Sequence, residues 1–248
     1  MRVWTLIVLL TLGIPTLSLS PYLSLIVPSD VEADALFGKS LSVVGDVMAV
    51  GAPGDNTEGF NAGAVYVFLQ LSGVWSQQSM LTSATTVTQD KFGTSVSIYD
   101  DTLIVGAVNK NRVISGVAHI QAGTVYVFWR VGNAWSENQM LVASDGQAYD
   151  HFGISVSVYE NAIIIGAADD NLDDDTSSGS VYLFTRSSPS GSFTQKDNKH
   201  SNDADDGDKF GFSVDLYGDV AVVGAYQDDD QGSRSGDLYL VVCLFQFS

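Results

Sequence analysis

A unit of roughly sixty residues occurs four times in this chain, and every copy keeps the same internal spacing. Each copy opens with a Phe-Gly pair and reaches a Gly-Ala pair fourteen residues later. Both series advance by 55, 60 and 58 residues, so the variation in length lies outside this part of the unit. Repeats of this length, built from short strands, predict one supersecondary unit per repeat and a core shared between neighbours. The pairs are Phe37, Gly38, Phe92, Gly93, Phe152, Gly153, Phe210 and Gly211, and Gly51, Ala52, Gly106, Ala107, Gly166, Ala167, Gly224 and Ala225.

The second copy shows the strand content of the unit. From Phe92 to Tyr99 apolar and polar residues alternate, which indicates a half-buried strand. Asp100-Asp101 is a predicted two-residue turn, and Thr102 to Gly106 returns as a short apolar strand. A third strand begins at Gly123, and the Gly132-Asn133 turn leads into a fourth. Four antiparallel strands per repeat are the content of one blade, so the sequence predicts an all-β propeller.

Two small residues recur inside the unit. The Gly-Ala step is interpreted as a place where only small side chains fit, as near the crowded axis of a propeller. A serine stands three residues after the phenylalanine of every copy, and a residue that returns in each blade is assigned to packing instead of chemistry. These serines are Ser40, Ser95, Ser155 and Ser213.

The first copy carries the fullest motif. Val-Gly-Ala-Pro-Gly-Asp occupies Val50 to Asp55, and Gly-Ala-Val-Tyr-Val-Phe occupies Gly63 to Phe68. Together with the preceding Phe-Gly pair and hairpin, these segments resemble the FG-GAP repeat of integrin α-chain propellers and of many secreted microbial and algal proteins. The resemblance covers about residues 35–242 and implies a β-propeller displayed outside the cell, in adhesion or ligand binding.

One turn departs from the integrin pattern. In integrin-type repeats a calcium loop rich in Asp and Asn, similar to an EF-hand loop, separates the Phe-Gly strand from the Gly-Ala strand. Such a loop needs about twelve residues to supply its oxygen ligands. A turn of two residues cannot supply them, so the chain resembles the shorter, metal-free variant of the repeat. The turns here are Gly45-Asp46, Asp100-Asp101, Glu160-Asn161 and Gly218-Asp219.

The amino terminus has the layout of a secretory signal peptide, with Arg2, an apolar run from Val3 to Ile14, Pro15, and the small residues Ser18 and Ser20. The sequence therefore predicts a secreted or extracellular-surface protein. An uncleaved anchor is the alternative, and only in that case is a membrane a predicted partner. The predicted layout is a signal peptide over 1–20 and an FG-GAP propeller domain over 21–248, with repeats near 37–91, 92–151, 152–209 and 210–248.

The apolar run Tyr22 to Val27 has the register of a fourth strand. Leu25 begins twelve residues before Phe37, just as Met80 begins twelve residues before Phe92. The last repeat ends after its third strand, so residues 22–27 are predicted to complete the last blade and close a four-bladed ring. The alternative is a fragment of a larger propeller.

The chain is strongly acidic, with a formal net charge of −18. This charge argues against nucleic acid and anionic membrane surfaces as partners, and it favours divalent cations or basic partners. Aspartates concentrate in the loops that follow the third and fourth Gly-Ala pairs. Calcium is the candidate cofactor there, and solvated loops without a metal are the alternative. The candidate calcium ligands are Asp173, Asp175, Asp228 and Asp230.

The loops after the Gly-Ala pairs leave the sheets at equivalent places, so the sequence predicts that they gather on one side as a ligand face. No catalytic motif is present: His119, His151 and His200 lie in predicted loops, without a nucleophile beside them in a known pattern. The predicted function is a non-enzymatic propeller that recognises an extracellular protein or glycan. The alternatives are a secreted hydrolase acting on carbohydrate and a structural repeat of a cell coat.

Overall fold

Seventeen β-strands and no helix make up the part of the chain that the computed structural model describes, residues 25–114, 116–171, 177–201 and 205–242. The strands form four antiparallel sheets that follow one another along the chain, and one small extra hairpin. The predicted all-β propeller is confirmed, with one blade per repeat. The predicted signal peptide at 1–20 lies outside the described residues.

The first three blades each have four strands. The first consists of β1 (Ser40–Val44), β2 (Val47–Ala52), β3 (Ala64–Leu71) and β4 (Val74–Leu81). The second contains β5 (Phe92–Tyr99) and β6 (Thr102–Ala107), then a separate hairpin of β7 (Arg112–Ile114) and β8 (Val117–His119), and then β9 (Thr124–Val131) and β10 (Ala134–Leu141). The third consists of β11 (Ser155–Tyr159), β12 (Ala162–Ala167), β13 (Ser180–Thr185) and β14 (Thr194–Lys199).

The fourth blade has three strands within the described residues. They are β15 (Phe210–Tyr217), β16 (Val220–Ala225) and β17 (Asp237–Val242), in that order across the sheet. The run that was expected to supply a fourth strand behaves differently in its described part. Leu25, Ile26 and Val27 are not in a strand, and Ile26 packs against the core of the first blade. The expected pairing of residues 22–27 with the last blade is therefore not formed by residues 25–27, and residues 22–24 lie outside the described residues.

The turn between the first two strands of every blade has two residues, as predicted. In the second blade Tyr99 lies opposite Thr102, which leaves only Asp100 and Asp101 in the turn. The first residue of each turn has a positive φ, which is the left-handed region that such tight hairpins require. These residues and their φ angles are Gly45 at 57°, Asp100 at 49°, Glu160 at 52° and Gly218 at 57°.

Aliphatic side chains of the second, third and fourth Phe-Gly strands fill the space against the preceding blade. Val96 and Ile98 of β5 belong to one buried cluster with Val47, Val65 and Val67 of the first blade. The same arrangement recurs between the second and third blades, where β11 packs on β6 and β9, and between the third and fourth. The core of the protein is therefore mostly a series of interfaces between blades.

The outer faces of the first and last blades are uncovered in the described residues. Leu41 and Val43, which occupy the places that Val96 and Ile98 have in the second blade, are 68% and 57% exposed. Leu238 and Leu240 of β17 occupy the places of inward-facing β3 residues, yet they are 75% and 67% exposed. Within the described residues the four blades thus present two apolar end faces.

Candidate functional site

A cavity of about 500 Å³ opens between the second and third blades. It lies at the end of the strands where the two-residue turns are, and these turns contribute Asp100, Asp101 and Glu160 to its wall. Tyr99 and Trp129 add aromatic surface, from the last residue of β5 and from β9. The cavity therefore combines aromatic faces with carboxylates, which are the groups that orient a polar ligand in a partly apolar site.

Arg186 forms the buried side of this cavity. Its Nε donates to Asn161 Oδ1 at 3.0 Å, and its Nη2 donates to Thr102 Oγ1 and to the carbonyl oxygen of Glu160, both at 3.2 Å. The guanidinium carbon lies 4.7 Å from the ring centroid of Phe193, so the cation also rests on an aromatic face. Burial lowers the pKa of this guanidinium, but an arginine remains charged under all ordinary conditions.

Two buried donors at the cavity have no hydrogen-bond partner. They are Nη1 of Arg186 and Nε1 of Trp129. A buried donor without a partner is costly, because it has lost water and gained nothing in return. The Tyr99 ring packs against Tyr159 of the next blade at a centroid distance of 4.9 Å and an interplanar angle of 54°, which holds the aromatic wall in place. Because these two donors are buried, the polar groups that the cavity offers to a ligand are the turn carboxylates and the guanidinium of Arg130.

The opposite end of the strands carries the aspartates, and their carboxylates serve a repeated structural role. In three blades, an aspartate stands four residues after the glycine of the Gly-Ala pair. Its carboxylate accepts a hydrogen bond from a tyrosine hydroxyl in the third strand of the same blade. The pairs are Asp55 with Tyr66 at 2.8 Å, Asp170 with Tyr182 at 2.9 Å and Asp228 with Tyr239 at 2.7 Å. The second blade has Lys110 at this position.

A second set of aspartates stands two residues before the phenylalanine of a repeat. Each accepts a hydrogen bond from the backbone nitrogen three residues earlier: Asp90 from Val87, Asp150 from Gln147 and Asp208 from Asp205. Burial and neighbouring carboxylates raise the pKa of Asp150 to about 7, and they also raise the pKa of Asp208. The aspartates of this second set lie just before the first strand of a blade, and the tyrosine-bonded aspartates lie just after the second strand. Because these two strands are antiparallel, both sets lie at the same end of the blade.

The predicted calcium ligands are only partly described. Asp228 is buried and holds Tyr239, and its Oδ1 also accepts the backbone N–H of Asp230 at 3.2 Å. Asp173 and Asp175 lie outside the described residues. Across the described ranges, no three side chains of His, Cys, Asp or Glu converge as a ready-made metal cluster. Calcium binding by these four aspartates therefore stays a prediction.

The histidines have structural partners. Nδ1 of His151 lies 2.5 Å from Oδ2 of Asp169, and Nζ of Lys209 bonds the other oxygen of that carboxylate, so the group ties the third blade to the fourth. His119 is the last residue of β8 and was wrongly expected in a loop. His200 contacts the backbone oxygen of Ser201. None of the three, in the described part of the chain, is hydrogen-bonded to the side chain of a Ser, Thr or Cys.

The cavity was missed in the sequence analysis, which placed the ligand face at the loops after the Gly-Ala pairs. These loops lie at the other end of the strands. The cavity depends on residues far apart in the chain, since Arg186 bonds Thr102 across 84 positions. No local motif carries such a contact, although an arginine directly after an apolar strand is an unusual residue to find buried.

A family described as FG-GAP repeat matches residues 24–68, 75–128, 135–184 and 194–241. No curated protein matches the chain. Among solved structures, the computationally designed Ika4 protein is 13% identical with a TM-score of 0.47, and the match covers 85% of this chain and 93% of that one. Sqt1 of Saccharomyces cerevisiae is 12% identical with a TM-score of 0.49, over 86% of this chain and 47% of Sqt1.

The described residues contain no helix that could cross a bilayer.

Proposed function

Because the chain belongs to the FG-GAP repeat family, we propose that it is a non-enzymatic recognition module displayed outside the cell, for adhesion or for binding a protein or glycan ligand. A propeller scaffold of this family suits interaction with a partner, since rigid blades hold turns and loops in fixed positions. The observation that carries the proposal is the cavity between the second and third blades, which places aromatic rings beside carboxylates and the guanidinium of Arg130.

The proposed ligand follows from the groups in the cavity. Arg130 offers N–H donors to the cavity, and Tyr99 and Trp129 offer aromatic surface. Asp100 and Asp101 add acceptors at the rim. A ligand with both hydroxyl or carbonyl oxygens and an apolar face would satisfy all of them, and sugar rings and extended peptides both have this character.

Extracellular display is supported by the sequence. The leader-like segment at 1–20 and the net charge of −18 are both typical of an exported, highly soluble domain. A carbohydrate hydrolase is the second candidate, because Asp101 and Glu160 line the same cavity and a glycosidase uses two carboxyl groups. The carboxyl groups of Asp150 and Asp208, whose pKa values are raised, lie at the other end of the strands.

The proposal is tested with the full chain on a glycan array and on a library of extracellular protein domains. We expect specific binding that Tyr99→Ala weakens at least tenfold, because the aromatic wall is lost. The matched control is Tyr217→Ala, which removes the equivalent tyrosine of the fourth blade away from the cavity. Binding that is equally weakened by both substitutions, or hydrolysis of chromogenic glycosides that Glu160→Gln abolishes, would contradict the proposal.

A further inference from the structure

We propose that the third blade binds a divalent cation of the calcium type between Asp150 and Asp170, where the second blade holds its own cation, the ammonium of Lys110. This inference does not depend on the proposed recognition function, because the site lies at the other end of the strands from the cavity. Three observations support it: the ion pair in the second blade, the register of the repeats, and one buried oxygen atom of Asp150.

In the second blade a buried ammonium joins two connections. Nζ of Lys110 lies 2.7 Å from Oδ2 of Asp90, and it also bonds the carbonyl oxygen of Thr85. Both side chains of the ion pair are largely buried. The lysine thus supplies a positive charge at the place where the loop before β5 meets the loop after β6, and it neutralises Asp90 there.

The third blade has the same positions sixty residues later, and every one of them is an aspartate. Asp150 takes the place of Asp90, and Asp170 takes the place of Lys110. The residue whose carbonyl binds the ammonium, Thr85, corresponds to Asp145. The site has therefore exchanged its built-in cation for a second carboxylate while keeping the first. Two carboxylates without a counter-ion repel each other, most strongly where water is excluded.

One atom at this place points to an absent partner. Asp150 is 1% exposed. Its Oδ2 accepts the backbone N–H of Gln147, but its Oδ1 has no hydrogen-bond partner at all. Its counterpart Asp90 sits in the same turn, and its carboxylate receives the Lys110 ammonium. In the second blade the ammonium contacts Oδ2 of Asp90, so the register places a cation against the Asp150 carboxylate. A cation that binds this carboxylate through both oxygens would also satisfy the buried Oδ1.

The surrounding groups provide oxygen ligands only. Asp170 is buried and already orders Tyr182 through a 2.9 Å hydrogen bond. The Asp145 carbonyl is placed by register where the Thr85 carbonyl binds an ammonium. Calcium takes six to eight oxygen ligands with flexible geometry and completes its shell with water, so two carboxylates and a carbonyl are an adequate protein contribution to a moderate site. The nearby basic side chains, Lys209 and His151, both contact the carboxylate of Asp169.

This site differs from those considered from the sequence. An integrin-type calcium loop would lie between the first two strands of a blade, at the end that carries the cavity. Of the aspartates in the loop after β12, the site uses Asp170, and its other carboxylate, Asp150, precedes β11. The fourth blade offers a natural control: Asp208 and Asp228 occupy the equivalent positions, but neither has a buried oxygen without a partner in the described residues.

The experiment measures thermal unfolding of the full chain at pH 8 and constant ionic strength, with EDTA or with calcium up to 5 mM. We expect calcium to raise the melting temperature, since a ligand at ten times its dissociation constant raises the folding equilibrium constant about elevenfold. Asp150→Asn keeps the shape of the side chain and should abolish the response. Asp208→Asn removes the same charge from the fourth blade and should leave the response unchanged.

Two further measurements keep the inference testable if Asp150→Asn folds poorly. Asp170→Lys places a lysine at the position that Lys110 has in the second blade. This variant should be more stable than the wild type in EDTA and should not respond to calcium. Terbium luminescence sensitised by Tyr182 should appear in the wild type, and excess calcium should quench it. A wild type that shows no response to calcium, a response that survives both substitutions at the site, or stabilisation only by protons below pH 7 would overturn the inference.

Discussion

The hydroxyl of Ser95 donates a 2.7 Å hydrogen bond to the carbonyl oxygen of Gly153, the glycine of the next Phe-Gly pair. The bond recurs at both other interfaces, from Ser40 to Gly93 at 2.9 Å and from Ser155 to Gly211 at 2.7 Å. The recurring serine and the two glycines of the motif therefore act together: they allow the backbone of one blade to approach the backbone of the next closely.

The first prediction concerns this contact. A Cβ on Gly106 would lie 2.1 Å from the carbonyl oxygen of Gly153, and that backbone atom cannot move without shifting the whole blade. Gly106→Ala should therefore destabilise the protein by roughly 1 to 3 kcal/mol, measured by urea denaturation. Gly224→Ala is the control, since its new Cβ meets only the hydroxyl of Ser213, which can rotate away. Equal stability of Gly106→Ala and the wild type would contradict the close approach.

Much of the fold was predictable from local pattern. The alternation from Phe92 to Tyr99 and the turn at Asp100-Asp101 defined a hairpin that the structure confirms. The Asp–Tyr bond was also within reach, since Asp55 and Tyr66 recur as Asp170 and Tyr182 at a nearly constant spacing. The order of the blades followed because each repeat can bury its apolar face only against its neighbours.

The rest depended on contacts that no local pattern encodes. Val43 and Val158 hold the same place in their repeats, yet Val43 is exposed and Val158 is buried. The second blade covers Val158, whereas no blade among the described residues covers Val43. The cavity needed the guanidinium of Arg186 to reach the second blade. Sequence periodicity says which face is apolar, but it does not say whether another element covers that face.

The second prediction tests the uncovered end face with a matched pair of substitutions. Val158→Ala removes two buried methyl groups from the core between the second and third blades, and it should cost roughly 1.5 to 3 kcal/mol. Val43→Ala makes the same chemical change at the equivalent place in the first blade, where the side chain is exposed, and should cost less than about 0.5 kcal/mol. Equal losses in denaturant unfolding would show that the first blade is covered in solution.

The third prediction concerns pH in the absence of divalent cations. Burial and the charges of Asp170 and Asp145 raise the pKa of Asp150 to about 7, although the Gln147 N–H and His151 act in the opposite direction. A raised pKa means that the folded state binds the proton more tightly than the unfolded state does. The associated stability is therefore fully present near pH 4 and is lost as the pH rises through 7.

The size of this effect is at most about 4 kcal/mol, because raising the pKa of Asp150 to about 7 changes the free energy by about 1.4 kcal/mol for each unit of pKa. It is measured by urea denaturation in EDTA between pH 4.5 and 8.5, comparing the wild type with Asp150→Asn. The variant cannot take up the proton, so its stability should change less over this interval. Parallel curves for the two proteins would show that Asp150 does not titrate in this range.

The last prediction compares a buried arginine of the cavity, which joins two blades, with a second arginine of the cavity that does not. Arg186 is buried and donates to Asn161, Thr102 and the Glu160 carbonyl, so Arg186→Met would leave three acceptors without their donor in a site that water reaches poorly. We expect a loss of roughly 2 to 4 kcal/mol in the free energy of unfolding.

Arg130→Met is the control for this substitution, because Arg130 lines the same cavity but only its Nε bonds the nearby Gly132 carbonyl, at an exposed position. It should change stability by less than about 0.5 kcal/mol. Arg186→Lys should fall between the two, since an ammonium keeps the charge but cannot donate in three directions from a planar fork. If both methionine variants unfolded at the same urea concentration as the wild type, the guanidinium would not join the second and third blades, and the cavity would lack the rigid base that ligand binding requires.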